Sequence, residues 1–236
     1  MAFNRDAVAP HRARTDCSEL TELGIKLPKP VADALTVLDG IGKPTLPAPG
    51  ALVSAVLDGA GQDDLHRLAL AELAAPLVRD AYGRASITAA DDVTEAIRAS
   101  RNEIHAALAK LATAAIDKLT TAATIAEPLE NLVRAGRHAD AETVVAADLT
   151  AATLDRLYRT RERLLWPRGR YPAAAVTRWR EPDYAGHGFL EGLRAGGTLW
   201  FPDFGSACEL AEQIQAEQRA ADQAVLVRKE RAPVDA

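Results

Sequence analysis

Cysteine is nearly absent from the 236-residue chain: Cys17 and Cys208 are the only two, and neither has a second cysteine or a histidine at metal-ligand spacing. That excludes a disulfide scaffold and a cysteine-held zinc site, and it fits a reducing, cytoplasmic setting. Long apolar runs are also missing. A membrane span needs roughly 18 uninterrupted apolar residues, and here Asp, Glu, Lys or Arg breaks every Ala/Leu-rich stretch, so no membrane partner is expected. Residues 1–14 carry Arg5, Arg12 and Arg14 without an apolar segment or a small-residue cleavage pattern. They are expected to be a disordered tail and not a signal peptide. Aromatics make up only 5% of the chain, so most of any core must come from Ala, Leu, Val and Ile. Lysine is scarce as well, at 6 against 22 Arg; with the abundant alanine this resembles the codon bias of a GC-rich bacterial genome.

What is present is enough apolar material to fold: 48% of residues are hydrophobic and 26% charged. Lys and Arg number 28 against 33 Asp and Glu, a net charge of −5. The molecule as a whole is therefore no polyanion binder, and a basic site must be local.

The apolar periodicity predicts a mainly α fold: a long helical hairpin or bundle carrying a small aromatic- and Gly-rich cap that holds a short β-hairpin. The expected divisions are a disordered tail (1–19), a Pro-rich arm and linker (20–61), a helical bundle (62–166), the cap (167–205), a C-terminal helix (206–231) and a final tail (232–236). Five prolines between 27 and 49 stiffen the arm around one apolar stretch, 31–38, long enough for two helical turns. Leu65, Leu68, Ala69, Leu73 and Leu77 recur at helical spacing with Pro76 among them, which predicts a kinked helix. Thr88 followed by Asp91 reads as a capped helix start. The stripe after it, Val93, Ile97, Ile104, Leu108, Leu111, Ala115, Leu119, Ala122 and Ala126, advances at about the 3.6 residues per turn of a straight helix, which favours a packed hairpin over a supercoil. Ile97, Ile104, Leu108, Leu111 and Leu119 are its candidate interface residues.

Pro128 suits the first turn of a short helix and Gly136 its end. Around Ala135, Gly136, Arg137, His138, Asp140 and Ala141 the chain resembles the inter-helix turn of a tetratricopeptide-type repeat. The likeness spans about one turn, and with no second copy at a 34-residue period it implies no solenoid. A helix over 150–166 is expected to stop at Pro167, and the last to start at Ser206, with Glu209 in capping-box position.

One segment differs in kind. Nine of the eleven aromatics lie between 158 and 204, and seven of the fifteen glycines between 169 and 205. Strands over 174–180 and 198–201 would make the hairpin. Residues 156–180 hold eight arginines and one acid, Glu162, so the segment carries +7 and the remainder −12. Guanidinium forks suit phosphate and aromatic faces suit unpaired bases. Arg159, Arg163, Trp166, Arg168, Arg170, Tyr171, Arg178, Trp179 and Arg180 are accordingly the candidate nucleic-acid contacts. The competing reading is a mini-core of inward rings, with the helical arginines paired to acids of this chain or of a neighbouring subunit.

Catalytic patterns are weak. Asp203-Phe204-Gly205 matches a kinase metal-binding tripeptide without the loop or lysine that gives it meaning. Gly186, Gly188 and Gly192 miss the dinucleotide spacing and follow no strand. His187 with Glu191, and Glu181 with Asp183, are too few for a metal site or a proven acid/base pair. Ser206 lacks a nucleophile elbow. No catalytic residue, metal or cofactor is assigned. The leading expectation is a non-enzymatic interaction or assembly protein of scaffold or adaptor type, as in phage particles and mobile elements, acting through self-association or on another protein. A nucleic-acid-binding module and a small-molecule enzyme with a pocket under the cap are the alternatives.

Overall fold

Alanine, leucine, arginine and glutamate favour helix when packing does not decide otherwise. The computed structural model describes residues 5–167 and 176–231, and among these nearly all regular structure is α-helix. Nine helices are described: α1 Arg5–Glu22, α2 Lys29–Gly40, α3 Ala51–Leu57, α4 Gln62–Ala99, α5 Arg101–Thr124, α6 Leu129–Arg134, α7 His138–Leu165, α8 Phe189–Arg194 and α9 Phe204–Arg231. They divide into two compact units, Met1–Ile104 and His105–Ala236. None of these helices is long and apolar enough to cross a membrane.

In the first unit α1 and α2 both pack against α4. Residues 5–19 were expected to be part of a disordered tail; they are helical instead, because Ala13, Cys17 and Leu20 fall at i, i+4 and i+7 and form one buried stripe. The stripe is short and made largely of small residues, which hides it from a periodicity count. Burial, ahead of the nearby Asp16 and Asp39, raises the Cys17 thiol to about 11 and keeps it unreactive at neutral pH. α1 ends at Gly24, where φ is +78°: Ile25 N–H reaches back to Leu20 O at 3.0 Å and Gly24 N–H to Thr21 O at 2.9 Å. This left-handed turn favours glycine.

Pro28 and Pro30 start α2, where proline costs no helical hydrogen bond, and α2 buries Val31 and Leu38. Arg14 fastens the end of α2 to α1, donating from Nε to Asp39 at 2.7 Å and from a terminal nitrogen to Leu38 O at 2.9 Å.

The expected helix start at Thr88 is overturned, since Thr88 lies inside α4, which begins at Gln62 with Asp63 and Asp64 in its first turn. Pro76 is accommodated within it. The long stripe is also divided, because the helix stops at Ser100 and α5 begins at the next residue. The buried residues of α4 are confined to Ala89, Ala90, Val93 and Ile97. Between 62 and 88 no residue is fully buried.

In the second unit, α5 buries Leu108, Ala112, Ala115, Leu119 and Ala122, and α6 and α7 form a short hairpin whose core is Ile125, Leu132, Ala141 and Val144. Its turn at Gly136 has φ +73°, with Arg137 N–H bonded to Leu132 O at 2.9 Å. The predicted cap at Ser206 moves three residues earlier: Asp203 precedes α9, and its carboxylate accepts the Ser206 N–H at 2.8 Å and the hydroxyl at 3.1 Å. The expected β-hairpin reduces to one antiparallel bridge, Trp179 with Leu199, flanked by Arg180 N–H to Thr198 O and Trp200 N–H to Arg178 O at 3.0 and 3.1 Å. Residues 174 and 175 lie outside the described ones.

Candidate functional site: the arginine cap and the apolar arm

The cap is built around α7. Tyr158 and Arg161, three residues apart on that helix, turn the same way and are fully buried, and Trp166 follows just past the helix end. The Arg161 guanidinium lies 4.4 Å from the Trp166 ring centre, 4.6 Å from Phe201 and 5.1 Å from Tyr158. It donates to Thr177 O at 3.0 Å, Pro202 O at 3.1 Å and the Glu162 carboxylate at 3.3 Å. A buried cation is tolerated only when so paired, and each ring face adds about 0.5–2 kcal/mol. Burial pushes the guanidinium down to about 10, with Glu162 pulling the other way, so it remains charged at neutral pH. Burial also raises the Tyr158 phenol, whose hydroxyl donates to Trp200 O at 2.8 Å.

The rings interlock. Tyr158 meets Phe201 at 5.2 Å and Phe189 at 5.9 Å; Trp179 meets Tyr184 at 5.8 Å; Trp166 meets Phe204 edge-on at 5.7 Å. The Trp200 indole N–H is shared by Trp179 O and Val176 O at 3.1 and 3.2 Å. Glycine content has its reason here: a β-carbon at Gly192 would stand 2.6 Å from Cζ2 of Trp179, and one at Gly197 2.8 Å from the Tyr184 ring. The indole and phenol lie flat where those side chains would be. Arg194 extends the cap's ties to α5 by donating to Ile125 O at 3.1 Å.

The candidate nucleic-acid residues are therefore dispersed among other duties. Trp166 is 6% exposed and Trp179 1%, so neither offers a face to a base. Arg159 and Arg178 both pair with Asp155, at 2.5 and 2.8 Å. Arg180 is exposed and lies over the Trp200 ring at 5.0 Å, and Arg163 is exposed on α7. Arg168, Arg170 and Tyr171 lie outside the described residues. The remaining motifs resolve into structure. The Asp-Phe-Gly tripeptide caps α9, Glu181 accepts the Thr198 N–H at 2.8 Å, and His187 leans on Tyr184. Among the described residues no cluster of three metal-ligating side chains occurs.

Of the candidate interface residues, Ile97, Ile104, Leu108 and Leu119 are already buried inside a single chain, while Leu111 is 37% exposed because Ala112 takes the inward position.

The region that offers apolar surface is another one, α3 with the first two thirds of α4. These two helices pack together, and Glu72 on α4 accepts the Leu52 N–H at 2.9 Å, satisfying an otherwise orphaned donor in the first turn of α3. Leu65, Leu68 and Ala69 share the Glu72 side of α4 and are half-buried. Leu70, Leu73 and Leu77 lie more than a quarter turn away at i, i+3 and i+7, and they are 55%, 77% and 74% exposed. On α3, Val53, Val56 and Leu57 are exposed too. The sequence places Leu65, Leu68, Ala69, Leu73 and Leu77 in one run at helical spacing; advancing them at 100° per residue separates two stripes, and that was the available signal. No family model matches the chain, and no curated protein or solved structure is similar to it.

Proposed function

We propose that this is a non-enzymatic interaction protein of the scaffold or adaptor kind, whose docking element is the α3–α4 arm. One observation carries the reading: three leucines at i, i+3 and i+7 on α4 stand more than half exposed, on a helix stretch that buries nothing of its own from 62 to 88. A water-facing helix ordinarily carries its polar side outward, and a helix apolar on both sides is one meant to be covered. Within the arm Asp64 pairs with Arg67 and Asp80 with Arg84, so these four charges are met by the arm itself. The Arg/aromatic cap, by contrast, supports a structural role, because Arg161 and the rings of Tyr158, Trp166 and Trp179 are buried.

The test is photo-crosslinking in the expressing cell. A benzophenone side chain at position 57, 73 or 77 is expected to trap protein, and one at position 180 is not. If no position on the arm gives a protein adduct, the reading is wrong.

A further inference from the structure

We infer that the arm is a conformational switch: α3 and residues 62–75 of α4 open and close as one unit, hinged at Pro76, while the far end of α4 stays folded. The inference concerns the regulation of the docking face, and its use there rests on that reading. Leu70 and Leu73 stand on one helix side with Leu77 only while the unit is closed; opening disperses the first two and leaves Leu77 behind the hinge.

The ground is one continuous helix with two unequally anchored ends. The four fully buried residues of α4, Ala89, Ala90, Val93 and Ile97, all lie near its C-terminus. From 62 to 88 no residue is fully buried, and α3 has no buried residue either. Helices in proteins owe most of their stability to the packing of one face, and short ones alone are marginal in water. Opening α3 with 62–75 exposes little apolar surface that is not already in water, whereas opening 89–97 disrupts the core.

Pro76 sets the boundary. Proline has no N–H, so Glu72 O receives no amide donor from the residue four further on, and the ring crowds the preceding turn. Pro76 is itself exposed, so no burial offsets that loss. Helix extending back from the anchored end is interrupted there, and 62–75 gains little from being continuous with it. What holds 62–75 instead is α3: the two helices pack together, and the Glu72 carboxylate accepts the Leu52 N–H at 2.9 Å. Glu72 thus stands both at the broken rung of α4 and at the tie to α3, which couples the two. Gly50 (φ +80°) precedes α3 and Gly59 (φ +73°) follows it, so α3 is joined to the chain at both ends through glycines that turn at little steric cost.

Hydrogen exchange of the full chain, read by mass spectrometry on peptides from α3, 62–75 and 89–99, tests this with no partner present. Relative to intrinsic rates, amides of α3 and 62–75 are expected to exchange on the order of 100-fold faster than those of 89–99. Pro76→Ala should slow exchange in 62–75 at least about 10-fold and leave 89–99 unmoved. Glu72→Ala should speed α3 and 62–75 together by about 10-fold, although alanine is the better helix former. Equal protection along α4 overturns the inference, as does indifference of 62–75 to Pro76→Ala. Acceleration of α3 alone in Glu72→Ala overturns the single unit. The crosslinking experiment separates the two levels: adducts at position 73 with uniform exchange along α4 retain the docking reading and discard the switch, whereas divergent exchange without adducts retains the switch and discards its use in docking.

Discussion

The cap and the arm treat their apolar groups in opposite ways. The cap concentrates nearly all the aromatic residues of the chain, buries Tyr158, Trp166 and Trp179, and holds the buried Arg161 guanidinium with two backbone carbonyls, a carboxylate and three ring faces, its Nε alone having no hydrogen-bond partner. The arm has a single aromatic, Tyr82, and leaves its leucines in water. Unusual composition therefore marked the region that completes itself, and the incomplete region is compositionally ordinary. What distinguishes the arm is geometry: more apolar positions than one helix face can bury.

That contrast is open to attack by substitution, beginning where the effect is largest. Arg161→Ala removes the cation at the centre of the cap together with its hydrogen bonds to Thr177 O and Pro202 O, and opens a void among three rings. The expected loss is about 3–5 kcal/mol. All three tryptophans, Trp166, Trp179 and Trp200, belong to the cap, so their fluorescence during urea unfolding reports this loss. A change below about 1 kcal/mol would mean that the guanidinium is not what organises the rings.

Gly192→Ala comes next. The added methyl collides with the Trp179 indole, which is buried and cannot swing clear, so the ring is displaced or α8 shifts. Overpacking of this kind costs about 1–3 kcal/mol, offset in part by the better helix propensity of alanine. A red shift in tryptophan emission together with a lower urea midpoint is the expected pair of observations. The same substitution at Gly83, on the arm, meets nothing within 4 Å and should be neutral to stabilising.

The Asp203 cap supplies a smaller effect with a pH signature. Its carboxyl is held below the ordinary range chiefly by the Ser206 N–H, so the charged form is favoured in the folded state. Stability from this group is present above the usual Asp pKa of about 3.9 and is lost as pH falls below it. Asp203→Ala should cost about 1 kcal/mol at pH 7 and progressively less as the pH falls through the lowered pKa of the folded carboxyl, where the parent loses the same carboxylate. An undiminished penalty at low pH would show that the side chain acts through packing.

The two regions were also unequally readable. The mainly α fold followed from the 3.6 periodicity of α4, α5 and α7, because Leu, Ile and Val on one side of a helix leave little alternative. Pro128 and Gly136 marked α6 correctly, since each has a backbone reason to be where it is. α1 was lost because Ala13 and Cys17 are weakly apolar, and Thr88 misled because a capping pair in mid-helix looks like one at an end. In the cap, the sequence supplied the right cast and two opposed roles for it. The arginines were counted as a patch, yet Asp155, one residue outside the counted segment, engages both Arg159 and Arg178. Charge counts along a chain do not register a partner one turn back on the same helix. The arm was invisible because its leucines were merged with the inward set, an error of one helical face.

The smallest expected effect is the most discriminating. Leu73→Ser and Leu77→Ser, at 1 µM, should change the stability of the chain by no more than about 0.5 kcal/mol, since both side chains are already three-quarters exposed and little burial is lost. If the leucine face meets a second copy, the parent gains at 200 µM a stability that the variants do not, because association adds to the folded state by mass action. Thermal melts at the two concentrations read this difference without any knowledge of a partner. A leucine inside a core fails at both concentrations, an idle surface leucine at neither. Divergence at the higher concentration alone is the behaviour of a side chain that waits for a second surface, and it is the property that separates the arm from the cap.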